Sequence, residues 1–329
     1  MKYRILGRTG LKVSELGFGG HEYRRWLNTQ HFPGEWNRQE FLKTQPQRNK
    51  LIETAIDAGI NYFDTTLVEE AKSLGSALNA LGRRKDVYMS AMIVFLFRRM
   101  KSNPKTTWRD IVAEGVEERL RLLRTDHIDV FNIHMPEVDY SRDKLEVTLE
   151  VLSEMKRQGK VGWIGASSHE LGFLAELIRK YDCFDSVMVQ YNYHLQGARD
   201  TVFPLTKALE VGVVVMKPFS WPYYGIPFMR FGPAEGEGGQ YTPAQISLRW
   251  ILSSPEVATV VPSMNAPAEL EENLHAITKE GRVDERVLDL YLKAARGDEA
   301  KEKLTSMLKD PAIDVSNYAK RALAELDQG

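Results

Sequence analysis

Two carboxylates and a histidine are the side chains best placed for acid–base chemistry. Asp64 ends the apolar run INYFD, Glu69 follows it closely, and His134 ends the run IDVFNIH. Two carboxyl groups that share a poorly hydrated site do not both ionise easily, so one of them keeps its proton at higher pH. Together with an imidazole, such a pair can donate and accept protons at a reacting centre. The pattern predicts an acid–base site built on Asp64, Glu69 and His134.

Other kinds of reactive centre have no support in the sequence. The chain has no H-x-H or H-E-x-x-H pattern and a single cysteine, Cys183, so neither a metal site nor a disulfide framework is expected. No G-x-S-x-G motif marks a serine nucleophile. We therefore predict that no metal ion takes part in the chemistry.

Alternating strands and helices must position these residues. Eight runs are almost continuously apolar, which is typical of strands buried on both faces. They are residues 14–19, 60–64, 86–92, 128–134, 161–168, 186–192, 211–218 and 257–262. Helical periodicity lies between them, at residues 49–59, 107–123, 143–156, 170–179, 243–251 and 267–277. This alternation predicts an α/β fold of the (β/α)8 TIM barrel type. The alternative, a doubly wound open sheet, lacks the G-x-G-x-x-G expected after its first strand.

Three further segments complete the predicted architecture. The opening YRILGRTGLKV predicts a β-hairpin across the barrel floor, with Gly7 or Gly10 in the turn. Residues 20–47 form an insertion that would lie over the barrel mouth, where ligands bind. Residues 1–283 would thus form the barrel, and residues 284–329 would add short C-terminal helices. That extension either caps the barrel or offers a surface for protein contact.

Composition indicates a globular protein. The chain has 329 residues, of which 43% are hydrophobic and 27% charged, and its formal net charge is -1. No basic excess attracts nucleic acid or an anionic membrane surface. No apolar run reaches the roughly 20 residues of a membrane span, and the start MKYRILGRTG has no apolar signal region. We predict a cytoplasmic protein.

Eight segments, in order along the chain, resemble the aldo-keto reductases. They are LGRTGLKVSELGFGG, GINYFDTT, LRTDHIDVFNIHMPE, KVGWIGASSH, VQYNYH, VVVMKPF, ISLRWILSSPEVATVVPSM and PAELEENL. The resemblance runs from about residue 1 to residue 277 and is greatest to the branch with V-M-K-P on the seventh strand. It implies a (β/α)8 barrel that binds NADPH or NADH across its mouth and transfers hydride to an aldehyde or ketone.

The resemblance also implies four catalytic residues, of which this chain carries half. Asp64 matches the family's aspartate, and His134 matches the histidine that orients the carbonyl. The position of the proton-donating tyrosine falls on Glu69, and the position of the lysine falls on Met92. A carboxyl group can replace a phenol of pKa about 10 as donor only when it is protonated, which requires a raised pKa.

Cofactor contacts carried over from the family lie mostly at strand ends. The resemblance implies adenine contacts from Glu272 and Asn273, contacts to the nicotinamide amide from Ser167, Ser168 and Gln190, and ring stacking on Met216. The full implied set is Gly19, Gly20, Ser167, Ser168, Gln190, Met216, Lys217, Ser263, Met264, Asn265, Glu272 and Asn273. The segment SMNAPAE offers no cation for a 2′-phosphate, and Glu269 adds a negative charge. The cofactor is therefore expected to be NAD or NADP, with NAD slightly favoured, or to be absent.

Three functions remain open on this reading. The first is an oxidoreductase that uses a nicotinamide cofactor on a small carbonyl or sugar-like substrate, with a non-standard acid–base set. The second is a lyase or isomerase on a reused barrel, in which carboxyl and imidazole groups move protons. The third is a catalytically silent binding or scaffold protein that docks through residues 284–329.

Overall fold

The computed structural model describes residues 1–20, 43–94, 106–134, 141–219, 241–278, 296–309 and 313–327, with isolated positions between 285 and 293. Its strands are β1 (Tyr3–Ile5), β2 (Lys12–Ser14), β3 (Tyr62–Thr65), β4 (Tyr88–Ile93), β5 (Ile128–His134), β6 (Val161–Ser168), β7 (Ser186–Gln190), β8 (Gly212–Met216) and β9 (Val257–Val261). Its helices are α1 (Gln45–Asp57), α2 (Val68–Leu81), α3 (Trp108–Leu123), α4 (Arg142–Arg157), α5 (Leu171–Lys180), α6 (Ala198–Thr201), α7 (Phe203–Ala208), α8 (Pro243–Leu252), α9 (Pro267–Thr278), α10 (Asp298–Met307) and α11 (Ile313–Asp327). Most of the predicted insertion over the mouth lies outside the described residues.

Strands β3 to β9 form one parallel sheet in the order of the chain. Residues 16–19 close this sheet into a ring, because Leu16 bridges to Val260 next to one edge and Phe18 bridges to Phe63 at the other. The Gly17 N–H donates to the Val260 carbonyl at 2.8 Å. With this segment as its first strand, the ring confirms the predicted (β/α)8 barrel.

The inner and outer faces of the strands are both buried. Inward-facing side chains fill the barrel and form one cluster, made of Leu6, Val13, Tyr62, Met92, Val130, Met188, Val214, Ala258 and Val261. Outward-facing residues such as Phe63, Phe131 and Val187 pack under the helices in a second, larger cluster. Because both faces are covered, these strands read as apolar runs, and this is why the sequence predicted them closely.

The hairpin β1–β2 lies against the lower end of the barrel, as predicted. Tyr3 pairs with Ser14 and Ile5 with Lys12 in antiparallel register. Gly7 and Gly10 both have positive φ, at 49° and 70°. A Cβ atom at Gly7 would lie 2.2 Å from the Gly212 nitrogen, so this turn is fitted directly against β8.

Local signals define the helix starts. Thr107 caps α3 in a capping box with Asp110, and Thr242 caps α8 in the same way with Gln245. The short helices α6 and α7 between β7 and β8 were not predicted, because they contain too few turns to show a helical period. Among the described residues, no helix has both the length and the apolar character needed to cross a membrane.

Helices α10 and α11 pack beside the barrel mouth, on the loop that follows β7. Leu195 of that loop is buried in a cluster with Leu304, Tyr318 and Leu326 of the two helices. Glu325 accepts hydrogen bonds from the backbone N–H groups of residues 196 and 197, at 2.5 and 3.0 Å. The extension is thus in contact with the segment that carries β7-end residues. The first of its predicted helices lies mostly outside the described residues.

Candidate active site

Asp64 is a buried carboxyl group near the carboxyl end of β3, with 6% of its surface exposed. It lies on the same face as Tyr62, which belongs to the interior cluster, so its side chain faces the inside of the barrel. Its Oδ1 accepts a hydrogen bond from the Ser90 hydroxyl at 2.7 Å, and that hydroxyl accepts from the Asn132 amide at 2.9 Å. Burial raises the pKa of Asp64 to about 7, against the opposing effect of the Ser90 hydrogen bond.

A second buried carboxyl group stands close to Asp64, and it belongs to Glu70. Its Oε2 accepts from the backbone N–H groups of Thr66 and Leu67, at 2.8 and 2.9 Å, at the start of α2. Its Oε1 is buried and has no hydrogen-bond partner within the described part of the chain. Burial raises the pKa of Glu70 to about 8; the two N–H groups oppose this, and the Asp64 charge adds to it.

Glu69, the predicted donor, lies beside Glu70 in the first turn of α2 and is half-buried. Its role stays a prediction. Glu70 was missed because consecutive helix positions face different directions, and sequence alone does not say which of two adjacent glutamates turns inward. The one available signal is that Glu70 is the N3 residue of α2, the position from which a glutamate reaches back to the helix start.

Met92 and Arg119 together define the charge around the two carboxyls. The Met92 side chain is buried in the interior cluster, where it contributes no charge. Arg119 of α3 is also buried, and its guanidinium donates to the carbonyls of Met92 and Thr66 at 2.8 and 3.0 Å. Its positive charge lowers the pKa of Glu70, but burial has the larger effect.

His134 lies at the end of β5, in register with Ser167 of β6. Its Nδ1 is 3.4 Å from the Ser167 hydroxyl, and its ring meets that of His169 edge-on, with 5.6 Å between centroids. Burial and, to a smaller extent, the positive charge of Lys217 lower the pKa of His134 to about 4. The imidazole is therefore neutral at physiological pH.

Three predicted cofactor residues meet at the ends of β6, β7 and β8. Strand register pairs Ser168 with Val189 and Gln190 with Met216, so these positions are neighbours on one rim. The Ser168 hydroxyl accepts from the Glu170 N–H at 3.0 Å. Both amide atoms of Gln190 are buried without a hydrogen-bond partner in the described ranges. A nicotinamide amide offers the matching donor and acceptor, so this site fits the cofactor that the family resemblance implies.

The predicted adenine-side residues lie on the loop after β9 and on α9. Gly19 bridges to Ser263, and the Asn265 N–H donates to Glu269 at 2.7 Å. The Asn265 side-chain nitrogen is buried and lacks a hydrogen-bond partner in the part of the chain described. On α9, Asn273 is buried, and the Glu272 carbonyl accepts from Gln245 at 3.1 Å.

A small cavity of about 60 Å³ lies between the two buried carboxyl groups and the loop after β9. Its walls include Asp64 and Glu70 on one side, Gly20 beside them, and Met264 and Asn265 on the other. A Cβ atom at Gly20 would lie 3.2 Å from the Glu70 carboxyl carbon, so a larger residue would press on that group. Within the described ranges, no group of His, Cys, Asp and Glu could hold a metal ion.

Chemically, the mouth combines two protonatable carboxyls, a neutral imidazole and an unsatisfied amide. A carboxyl with pKa near 7 or 8 is partly or fully protonated at neutral pH and can act as a general acid. A neutral imidazole can donate a hydrogen bond to a carbonyl oxygen. Ser90 and Arg119 complete the surroundings; the sequence pattern places Ser90 at a strand end, but it did not identify Arg119.

Known proteins are similar to this chain in sequence and fold. The Bacillus subtilis oxidoreductase YqkF, itself uncharacterised, is 22% identical over 87% of this chain and 94% of its own length. L-galactose dehydrogenase of Arabidopsis thaliana is 25% identical, over 85% of this chain and 89% of its own. The holo form of aldo-keto reductase AKR11C1 from Bacillus halodurans has the same fold, with a TM-score of 0.66, 23% identity and coverage of 89% and 96%.

The family itself is established by a match over most of the chain. The sequence model described as the aldo/keto reductase family matches residues 29–222 and 235–288. These ranges include Asp64, His134, Gln190 and Lys217. The chain therefore belongs to the aldo/keto reductase family of oxidoreductases.

Proposed function

We propose that this protein reduces a small carbonyl compound with a nicotinamide cofactor, and that a buried carboxylic acid replaces the phenol as proton donor. The observation that carries the proposal is the pair Asp64 and Glu70. Both are buried at the mouth of the barrel, and burial raises the pKa of each to about 7 and about 8. At neutral pH, protons are therefore retained on the pair.

Asp64 is the better placed of the two to serve as the donor. Its side chain faces the barrel interior, and its Oδ1 accepts a hydrogen bond from the Ser90 hydroxyl. Glu70 faces the cavity next to Gly20, and the charge of Asp64 raises its pKa. Because the coupling of two carboxyls is mutual, ionisation of either one raises the pKa of the other.

His134 would orient the substrate carbonyl. Its pKa near 4 keeps the ring neutral, so it can donate an N–H hydrogen bond without carrying a proton that competes with the acid. The Ser167 hydroxyl lies 3.4 Å from Nδ1, which leaves Nε2 as the nitrogen to face the carbonyl oxygen. Proton transfer from Asp64 to that oxygen then completes an alcohol.

Gln190, with Ser167 and Ser168 nearby, would hold the nicotinamide amide. Bound reduced nicotinamide supplies the hydride for the carbonyl carbon. The rest of the proposed binding path is lined by Met216, Lys217, Ser263, Met264, Asn265, Glu272 and Asn273. Glu269 already accepts from the Asn265 N–H, so its charge stays on the adenine side, where it disfavours a 2′-phosphate. We propose NAD as the preferred cofactor.

Cofactor binding tests the first part of this proposal. Titration of NADH and NADPH into the protein should change nicotinamide fluorescence, with tighter binding of NADH. Gln190→Leu should weaken binding of the reduced cofactor about tenfold, because it removes hydrogen bonds to a buried amide. Gln158→Leu, at an exposed position after α4, is the matched control and should leave binding unchanged. Absence of binding at millimolar cofactor would reject the proposal.

Turnover of a panel of aldehydes and ketones separates the three acidic residues. Asp64→Asn should lower kcat/KM about 100-fold or more, the usual cost of losing a general acid. Glu70→Gln should have a smaller effect, since its role is electrostatic. If instead Glu69→Gln abolishes turnover and Asp64→Asn does not, Glu69 is the donor and the assignment made here is wrong.

A further inference from the structure

Two uncharged side chains, Ser90 of β4 and Asn132 of β5, form a hydrogen-bond chain that ends on Asp64. The Asn132 amide donates to the Ser90 hydroxyl at 2.9 Å, and that hydroxyl donates to Asp64 Oδ1 at 2.7 Å. Ser90 and Asn132 are buried, with 0% and 2% of their surface exposed. Because the amide nitrogen only donates, the Ser90 oxygen accepts from it and gives its single proton to Asp64. The direction of both hydrogen bonds is therefore fixed.

The neighbouring strand β6 leaves the space that the Asn132 amide fills. Gly165 of β6 is in register with Asn132 of β5. A Cβ atom at Gly165 would lie 2.1 Å from the Asn132 Oδ1, so any side chain at this position would displace the amide. The packing of three strands thus holds the amide in place, and the amide determines the direction in which the Ser90 hydroxyl points.

The titratable groups around Asp64 play other parts. Glu70 on α2 is a second acid, and the Arg119 charge on α3 lowers the pKa of Glu70. Tyr62, two positions before Asp64 on β3, has a pKa raised by burial and by the Asp64 charge, so its phenol stays neutral. Among the described residues, Ser90 supplies the side-chain hydrogen bond to the Asp64 carboxyl.

A proton that leaves Asp64 leaves a negative charge in a buried place. A buried carboxylate is costly unless hydrogen bonds stabilise it. A hydroxyl that donates to a carboxylate makes a charge-assisted hydrogen bond, which is stronger than the same bond to the neutral acid. Ser90 therefore stabilises the ionised form more than the acid, and its hydrogen bond lowers the pKa of Asp64 against the larger effect of burial.

We propose that Ser90 and Asn132 are positioning residues for proton transfer: Asn132 fixes the Ser90 hydroxyl as a donor, and Ser90 stabilises the carboxylate that forms when Asp64 gives its proton to the carbonyl oxygen. This proposal rests on the proposed carbonyl reduction and adds two residues to it. Asn132 acts through Ser90, and Ser90 acts through Asp64. A chain of neutral hydrogen bonds thus adjusts the strength of the acid without a cation.

The acidity of Asp64 in the full-length protein tests this chain without any turnover. Carbon-13 NMR of carboxyl-labelled aspartate follows the titration, and Asp64→Asn assigns the signal. A Glu70→Gln background removes the coupled titration of the neighbouring carboxyl. Ser90→Ala should make Asp64 about a tenfold weaker acid, because a hydrogen bond to a charged group is lost. Ser90→Cys, which is close in shape and a weaker donor, should have an intermediate effect.

A double variant separates positioning from a general structural effect. Asn132→Leu should also weaken the acid, and in the Ser90→Ala background it should add no further change, because Asn132 acts through Ser90. Ser186→Ala is the matched control, since it removes a buried strand hydroxyl that has no hydrogen-bond partner in the described part of the chain. It should leave the acidity of Asp64 unchanged.

Four other outcomes have distinct meanings. If folded Ser90→Ala and Ser90→Cys proteins keep the wild-type acidity of Asp64, the proposal is wrong. If Asn132→Leu has the same effect with and without Ser90, the amide does not act through the hydroxyl, which also contradicts it. If Tyr62→Phe has the effect expected of Asn132→Leu, and Asn132→Leu has none, the phenol orients Ser90 instead. A protein whose Asp64 titrates as expected in every variant but which reduces no carbonyl would retain this chain and reject the proposed reaction.

Discussion

At the scale of single residues, the buried carboxyls Asp64 and Glu70 combine chemistry with a cost in stability. A carboxyl group normally ionises near pH 4, and here burial holds the two pKa values near 7 and 8. The folded protein therefore binds protons that the unfolded chain has already released. Keeping an acid protonated at neutral pH is what a general acid requires, and the same shift makes stability depend on pH.

The sign of that pH dependence follows from the folded and unfolded pKa values. At pH values between the unfolded and the folded pKa of each carboxyl, the folded state binds more protons than the unfolded state. The free energy of unfolding therefore falls as pH rises through this range. His134 acts in the opposite sense, because its pKa is lowered from 6.5 to about 4, but only below pH 6.5. From about pH 6.5 to pH 8, the two carboxyls together should lower the free energy of unfolding by about 2 kcal/mol. Urea unfolding across this range measures the slope of the free energy of unfolding against pH. The double variant Asp64→Asn, Glu70→Gln should have a smaller slope. An equal slope in both proteins would contradict the raised pKa values.

Met92 allows a second test at the residue scale. The family resemblance places a lysine here, and Met92→Lys would put an ammonium into the barrel interior, two residues beyond the Ser90 that pairs with Asp64. If Asp64 is the proton donor, the new charge should lower the pKa of Asp64 and reduce carbonyl reduction at neutral pH instead of improving it. The pH dependence of kcat/KM measures this, with Met92→Leu as the uncharged control. Increased turnover in Met92→Lys would contradict the assignment of Asp64 as the proton donor.

At the scale of elements, the parallel strands carried the strongest sequence signal. Runs such as IDVFNIH are apolar on both faces, so their bounds were predicted almost to the residue for β5 and β6. The rim positions of Asp64, His134 and Gln190 followed, because the carboxyl end of each strand could be read directly. Which side chains contact each other across the rim could not be predicted from the sequence. Hydrogen bonds such as Ser90 to Asp64, and the choice between Glu69 and Glu70, depend on side-chain direction and packing.

The packing of the C-terminal helices also could not be predicted from the sequence. The sequence indicated helices after the barrel and left open whether they cap it or face a partner. In the structure, His194 and Tyr318 are both buried and lie 3.0 Å apart, from His Nδ1 to the phenol oxygen. Glu325 holds the loop backbone just beyond them. This loop begins directly after Gln190, so α11 supports the rim that carries the proposed amide-binding residue.

A substitution at Glu325 tests whether α11 has this supporting role. Glu325→Gln weakens two hydrogen bonds from backbone N–H groups to a charged acceptor and should lower the free energy of unfolding by about 1 to 3 kcal/mol. Hydrogen exchange at residues 196 and 197 should accelerate at the same time. Glu302→Gln, at an exposed position on α10, is the matched control. Unchanged exchange at residues 196 and 197 would mean that α11 does not stabilise the loop.

At the scale of the whole molecule, the fold is that of the family, and we propose that the acid–base set at its mouth is this chain's own. The barrel carries Asp64, His134 and a polar rim at the strand ends where the family resemblance predicts them. The change lies in what surrounds Asp64: an uncharged Met92 inside, and a buried Glu70 beside it. With the uncharged Met92 at the position where the resemblance places a lysine, burial raises the pKa of the aspartate. In the proposed mechanism, Asp64 keeps its place at the end of β3 and takes a new role as the proton donor.

The pH dependence of hydride transfer in a single turnover measures that role most directly. With NADH bound and a reactive aldehyde added, the loss of nicotinamide absorbance reports the chemical step alone. We predict that the rate falls as pH rises above about 7, where Asp64 loses its proton, and that Asp64→Asn has a slow, nearly pH-independent rate. A wild-type rate that is constant from pH 6 to pH 9, or an Asp64→Asn variant that keeps the wild-type rate and profile, would contradict it.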